Sequence, residues 1–433
     1  MTRIQQELPN FQLQKSAEII TSKSGLSLFH EAANSLGMID SLKNNLPCPG
    51  SNRGLSPTEY VMPLVLMFCG GGRTMEDIRE IERDKGLRKL CGFNKIPSAD
   101  AIGEWIRKPG RLESLDRTKE QFTKTIILRS EKDNFTLDTD GTLIESEKTC
   151  AEMTYKGFTA FSALLSFIAD LDLCVCDDFR NGAVHAGQGI KEQIKHTNDL
   201  LETLGKTLKY FRSDSAAYEA KVLDFCADNK IIYTITADQD VSVKTAVANV
   251  KETDWKPLYD EEGNLTDREY ATTVHCMGKS VEAFTLIIQR WQNPQLTLFE
   301  PGKYRYYVIA TNDYERDASA IIRFHNKRGN SENYNKELKN GFGMDHMPSR
   351  ELKANAVYFR LGVLAYNLTI AVKKLFLGDD WATKTIATLR WQIIFVAGKI
   401  VEHGRQLFLQ IADGYFELLQ TIRERIKASP SPV

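Results

Sequence analysis

Two aspartates in the run FTLDTDGTLIES, Asp138 and Asp140, are the first residues whose types and spacing could do chemistry. In an extended strand, residues two apart point to one face, so both carboxylates stand side by side. Adjacent negative charges are costly without a positive partner. A divalent metal ion supplies one, and a solvated strand end removes much of the cost without it. A second run, KTLKYFRSD, carries Asp214 at its end, the carboxyl end of an expected strand, where α/β sites are built. A third, RGNSENYNKELKNGFG from Arg328, has helical spacing. At about 100° per residue, Glu332, Asn335 and Lys339 fall within about 60° of one another, while Glu337 lies about 140° from Glu332. Taken alone, this segment also reads as an ordinary charged surface helix. Chemistry that needs three carboxylates is two-metal phosphoryl transfer, in which one ion activates the attacking oxygen and the other stabilises the leaving one. An adjacent Arg or Lys would neutralise the phosphate.

The elements that must position these residues change character along the chain. From about 10 to 130 the periodicity is helical, with Met75, Ile78, Ile81 and Leu87 recurring among charges. A helix over 77–90, a break at 92–97 and a second helix from Ser98 fit a helix-turn-helix as well as a plain bundle. Strand-like runs at 135–138, 160–170, 208–212 and 231–236 then alternate with helical stretches such as 191–204, which indicates an α/β core. The helical signal fades between about 240 and 305, where 270–276 and 283–289 look like strands of a β-rich insertion. The strand 304–310 returns to the core, helices dominate 316–427, and the chain ends in a disordered-looking Ala428-Ser429-Pro430-Ser431-Pro432-Val433. The expected organisation is a helical region over 1–130, to which the resemblance described below adds a DNA-binding role, a first core segment over 131–240, an insertion over 241–303, a second core segment over 304–345 and a helical region over 346–433.

Composition sets the outer bounds. The chain has 433 residues, 56 Lys+Arg against 57 Asp+Glu, and 42% hydrophobic residues, which excludes collagen, disorder and a disulfide miniprotein. Charge is unevenly placed: 19 basic residues face 15 acidic ones over 1–130, 20 face 32 over 131–320, and 17 face 10 over 321–433. An acidic middle suits divalent metals and basic flanks suit phosphate, although chance surface charge gives the same figures. The eight cysteines form no C-x-x-C pair and read as small buried hydrophobes, and no Cys/His cluster has zinc-ligand spacing. The longest apolar runs fall short of the roughly 20 residues that span a bilayer, since Arg360 and Asn367 interrupt 354–372. MTRIQQELPN lacks the features of a secretory signal, so a cytoplasmic protein without membrane partners is expected.

Taken together, the chain resembles the DDE transposases of bacterial insertion sequences, and most resembles the group typified by insertion sequence thirteen-eighty. The three acidic segments carry the resemblance with LSPTEYVMPLVLMFCGGGRTMEDIREIERDKGLRKLCGF from Leu55, FRNGAVHAGQG from Phe179, and MDHMPSRELKANAVYFRLGVLAYNL from Met344. The family signature of Tyr, two residues, Arg, three residues, Glu, six residues, Lys is met by Arg328, Glu332 and Lys339, with His325 where Tyr is usual. The resemblance implies an RNase H-like α/β core with a β-rich insertion, flanked by helical regions. It also implies a catalytic triad of Asp140, Asp214 and Glu332, with Asp138 as the alternative first Asp. These would bind Mg2+, for which Mn2+ substitutes. Arg328, Lys339 and His325 would contact DNA phosphates. The partners implied are double-stranded DNA, as transposon ends and target, and a second copy of the chain in a synaptic homodimer. Trp255 or Trp291 in the insertion could stack on an unpaired base or simply form its core.

Two other readings compete. Asp138-Thr139-Asp140-Gly141-Thr142 resembles the D-x-D-G-T signature of haloacid-dehalogenase-like phosphatases, whose first Asp is the nucleophile, and Asp313 and Asp317 resemble that superfamily's metal motif. The other is a domesticated transposase that binds DNA without cutting it.

Overall fold

The computed structural model describes residues 11–50, 54–278, 280, 282–293 and 303–430. MTRIQQELPN and the last three residues of the C-terminal tail lie outside them. Among the described residues no helix is long and apolar enough to cross a membrane.

Helix α1 (Pro57–Cys69) starts at a capping box, in which Ser56 Oγ accepts from Glu59 N and the Glu59 carboxylate accepts from Ser56 N, with Pro57 in the first turn. From Val61 to Cys69 every residue is buried, so this helix needs apolar neighbours all round. The helix expected over 77–90 is instead two, Ile78–Arg83 and Lys85–Cys91. Asp84 leaves helical geometry between them, and its carboxylate caps Leu87 N. Next come α2 (Ala99–Arg107) and α3 (Arg111–Leu128). On α2, Trp105 stacks on Tyr60 of α1, and Asp100, Glu104 and Arg107 face outward. The buried side of α2 packs as a bundle helix does.

The sheet begins with β1 (Asn134–Glu145), followed by β2 (Thr159–Ile168) and β3 (Leu173–Asn181) in antiparallel succession. Helix α4 (Ile190–Thr203) crosses to β4 (Thr207–Ser213), and α5 (Ala220–Asp228) crosses to β5 (Ile232–Thr236). β4 lies parallel to β1 and β5 parallel to β4, which gives the order β3-β2-β1-β4-β5. Three antiparallel strands followed by two parallel ones joined by helical crossovers form an RNase H-like core. β2 reads TAFSALLSFI and is buried on both faces, as a strand covered by helices on either side must be.

The stretch expected as an insertion does contain strands: β6 (Lys256–Tyr259), β7 (Leu265–Cys276) and β8 (Ala283–Gln292). They form a meander with β9 (Tyr304–Thr311), and β9 pairs antiparallel with β5. Among the described residues the insertion thus supplies three strands at the far end of one continuous ten-stranded sheet, which also includes the two-residue strand Glu152–Met153. Trp255 and Trp291 each carry an Arg guanidinium over the ring, Arg290 at 4.1 Å and Arg268 at 4.6 Å.

Helices α6 (Ala318–Asn326) and α7 (Asn330–Lys336) follow the sheet, and α7 runs on into a π-helical turn, Glu337–Gly341. Helix α8 (Leu352–Ala371) is buried continuously from Ala354 to Ala371 and packs against α1, α3 and β3. Its Asn367 side chain satisfies both backbone groups of Cys174 on β3. One apolar core therefore runs from Leu26 in the helical start of the chain, through the sheet, to Ile426 near its end. The helical C-terminal region also holds an unexpected hairpin, Gly398–His403 with Gln406–Ile411, which pairs with Ile20–Thr21. Its turn puts Gly404 and Arg405 at φ 57° and 64°, the primed-turn geometry that matches strand twist. Five of the cysteines are buried as expected, while Cys48 and Cys276 are exposed and Cys150 is half-buried.

Candidate active site

Strand register decides what the paired aspartates do. β1 and β4 align Asp138 with Arg212 and Thr139 with Ser213, so the next step along the pair sets Asp140 beside Asp214. Asp138 is 0% exposed and receives two hydrogen bonds from one guanidinium, Arg212 Nε at 2.6 Å and Nη2 at 2.7 Å. Arg212 Nη1 also donates to the Phe324 carbonyl on α6, so this ion pair ties the sheet to its covering helix. Burial raises the Asp138 carboxyl to about 6, against the pull of Arg212.

Asp140 has no such partner. Its Oδ2 accepts from Asn335 Nδ2 at 2.8 Å and from Ser331 Oγ at 3.5 Å, both on α7. Burial is the main cause that lifts its carboxyl to about 6. Asp214 and Glu332 push in the same direction, and Arg328 opposes them. Three carboxylates from β1, from the end of β4 and from α7 thus share one electrostatic field. Asp214 also caps the short turn behind it, its Oδ1 accepting from Ala216 N. Glu332 is 70% exposed, with Arg328 3.8 Å away one helical turn earlier. Among the described residues, no three His, Cys, Asp or Glu side chains are gathered closely enough to enclose one ion.

Asp140, Glu332, Asn335, Lys336, Lys339 and Asn340 line an open cleft of about 310 Å3. Glu332, Asn335 and Lys339 therefore share a face, as their spacing predicts, while Glu337 turns away and accepts from Ile386 N. Lys339 Nζ donates to the Leu143 carbonyl of β1 at 2.7 Å, and burial lowers its pKa. It pins α7 to the strand that carries Asp140. The Asn335 amide, which had no role assigned from sequence, orients the Asp140 carboxylate, and the only sequence signal was its place on the Glu332 face.

The residues that suggested a phosphatase are engaged elsewhere. A nucleophile must reach its substrate, and Asp138 is enclosed. Asp313 accepts from the backbone of Glu315 and Arg316, and Asp317 caps α6.

The chain matches the family model of the Transposase DDE domain group 1 over residues 5–431. It belongs to that family. Among solved structures it is similar to the piggyBac transposase synaptic complex with hairpin DNA, at 11% identity and a TM-score of 0.43, with 80% of this chain and 74% of that chain covered. No curated protein matches it. Transposases of the DDE family generally use divalent metals.

One residue of the expected signature stands apart in this transposase. His325 is 1% exposed, beneath the site and not at its surface. Its Nε2 faces Tyr307 Oη at 2.9 Å and Thr236 Oγ1 at 3.2 Å, and its Nδ1 faces the Thr234 carbonyl and hydroxyl. It joins α6 to β5 and β9 and leaves no surface for a phosphate. This corrects the expected DNA contact. Burial and the nearby Arg328 push its pKa down to about 3. The folded state therefore keeps the ring neutral, while the unfolded chain takes up a proton below about 6.5. Stability from this group is full above that pH and is lost as pH falls toward 3, with a slope of up to about 1.4 kcal/mol per pH unit. Between pH 7.5 and 5 the His325 share of this loss is about 2 kcal/mol in urea unfolding. It is opposed by Asp138 and Asp140, whose raised carboxyls gain stability over the same window, so the comparison of wild type with a His325 variant isolates it. A His325→Asn variant should lose that part of the pH dependence. An unchanged pH profile would show that His325 is not the group responsible.

Proposed function

We propose that this protein is a transposase of a bacterial insertion sequence that binds the element's terminal inverted repeats, cleaves a strand at each end and joins the ends to target DNA. The observation that carries this reading is an open cleft in which Asp140 and Glu332 stand with Lys336 and Lys339, while Asp214 is near enough to raise the Asp140 pKa. The donor set fits Mg2+ or Mn2+. All three are hard carboxylate oxygens, and Asp140 sits in a field with more negative charge than Arg328 offsets. Asp140, Asp214 and Glu332 would hold the metal, which when bound lowers the pKa of the attacking hydroxyl and stabilises the leaving oxygen. The protein's own part is positional. Asn335 and Ser331 fix the Asp140 carboxylate, Lys339 holds α7 against β1, and Arg328 offers a guanidinium to the phosphate that replaces its contact with Glu332. Joining two ends in one event calls for a synaptic homodimer, working on DNA in the bacterial cytoplasm at the nucleoid.

The test is a labelled duplex carrying the repeats of its own element, incubated with Mg2+ or with EDTA. Nicking at the repeat boundary that requires metal is the expected result. Salt-dependent binding without any nicking would select the DNA-binding reading in its place.

A further inference from the structure

Behind α7 lies a second and larger cavity, about 820 Å3, which shares Lys336 and Asn340 with the carboxylate cleft. These two side chains border both spaces at the end of α7. The cavity wall draws on three π-helical turns, Glu337–Gly341, Val372–Leu377 and Arg390–Ile394. Each adds a residue to a turn and so re-aims the side chains that follow, a distortion that recurs at functional sites.

The cations around this cavity differ in what they are doing. Arg390 is committed to the carbonyls of Cys69, Phe68 and Gly341. Lys374 is paired with Asp172 at 2.7 Å, and the same carboxylate accepts from Tyr334 of α7. Lys373 is 6% exposed, lines the cavity, and makes no hydrogen bond or ion pair with any described residue. The nearest opposing charges, Glu337 and Asp172, are already engaged with Ile386 N and with Tyr334 and Lys374. Lys336 and Lys384 stand exposed at the rim. A Lys stem enclosed with its ammonium turned into a cavity and no hydrogen-bond acceptor there carries part of the cost of burial, and its pKa is lowered by burial against the pull of Glu337 and Asp172. A side chain kept there against that cost is explained by an anion that enters from outside.

We propose that this cavity receives a backbone phosphate of the DNA strand leaving the carboxylate cleft, with Lys373 as its buried cation and Lys336 and Lys384 guiding the strand in. The cleft and the cavity are both bordered by Lys336 and Asn340, so a chain of phosphates passing through one is brought beside the other. Asn330, Asn333, Thr383 and Thr385 along the wall supply uncharged polar groups suited to the remaining phosphate and sugar oxygens. The inference rests on the transposase reading, because it presumes a DNA strand at Asp140 and Glu332.

The experiment measures the affinity of the full chain for a fluorescent duplex of its own terminal repeat over a range of KCl concentrations. Lys373→Met should weaken binding about tenfold at moderate salt. It should also make the dependence of log K on log salt shallower by about 0.9, the signature of one lost phosphate contact. Its melting temperature should hold or rise, since the variant keeps the apolar stem and removes a charge that burial disfavours. Lys373→Arg should restore the slope. Lys384→Gln, at an exposed position where packing is not at stake, should shallow the slope by itself. Unchanged slopes in Lys373→Met and Lys384→Gln, with the wild type binding normally, would overturn the cavity assignment alone. A fall in melting temperature at an unchanged slope would make Lys373 a packing residue. Failure of the wild type to bind the duplex at all would remove the transposase reading itself.

Discussion

Glu332→Gln is expected to lower strand cleavage at the repeat boundary by about a thousandfold and to leave DNA binding close to wild type. The substitution keeps the size and the helix propensity of the side chain, and its position is exposed, so the fold is little affected, by about 0.5 kcal/mol or less. What it removes is one negative oxygen from the proposed metal site it would share with Asp140 and Asp214. Metal-centred charge stabilisation is worth several kcal/mol in a phosphoryl-transfer transition state, hence the thousandfold figure. Arg328 loses its carboxylate neighbour at the same time, which frees it for phosphate, so affinity for the repeat duplex should hold or increase slightly. Cleavage time courses with the wild type and the variant, beside binding curves for both, separate the two effects. Cleavage retained in the variant would remove Glu332 from the site.

The second large effect separates two residues that sequence alone leaves equivalent. Asp138→Ala should destabilise the protein by about 3–5 kcal/mol, because it leaves the Arg212 guanidinium buried and without its counter-ion. Asp140→Asn should leave the unfolding midpoint unchanged or raised, since it removes a carboxylate opposed by Asp214 and Glu332, yet it should abolish cleavage. Stability and activity thus fail at different positions only two residues apart. An apolar double variant, Asp138→Leu with Arg212→Met, should recover most of the lost stability, because no charge is then left unpaired. An Asp138 variant with a wild-type midpoint and no cleavage would reverse the assignment and make Asp138 the first catalytic aspartate.

How much of this was readable in the chain can be seen residue by residue. The i, i+2 spacing put Asp138 and Asp140 on one face, and the helical spacing put Glu332, Asn335 and Lys339 on another, because both periodicities are local properties of the backbone. Which aspartate is paired was not readable, since Arg212 lies 74 residues from Asp138 and meets it only through the register of two parallel strands. His325 illustrates the same limit: its place in the family signature suggested a DNA contact, and only the packing of α6 on β5 and β9 shows that it is enclosed. The meander after β5 was recognised as strands, but that it continues the main sheet depends on the pairing of β9 with β5, a long-range contact with no local signal. By contrast, the hairpin at Gly398–Ile411 did leave a local trace, two short apolar runs, Ile400-Val401 and Leu407-Phe408-Leu409, either side of the turn residues His403-Gly404-Arg405, which the surrounding helical pattern obscured.

The enclosed helix α8 also bears on how the protein is made. Its partners come from opposite ends of synthesis: Cys69 of α1 contacts Ala365 across 296 residues of chain. At roughly 5–20 residues per second, about 15 to 60 s pass between the ribosome releasing the first of these surfaces and releasing the second. During that interval the apolar flank of α1 and the outer face of β3 have no cover, which makes them natural binding sites for a holding chaperone. A premature stop between residues 333 and 352 would leave a transposase in which Asp140, Asp214 and Glu332 had all been synthesised but β3 lacked the helix that covers it.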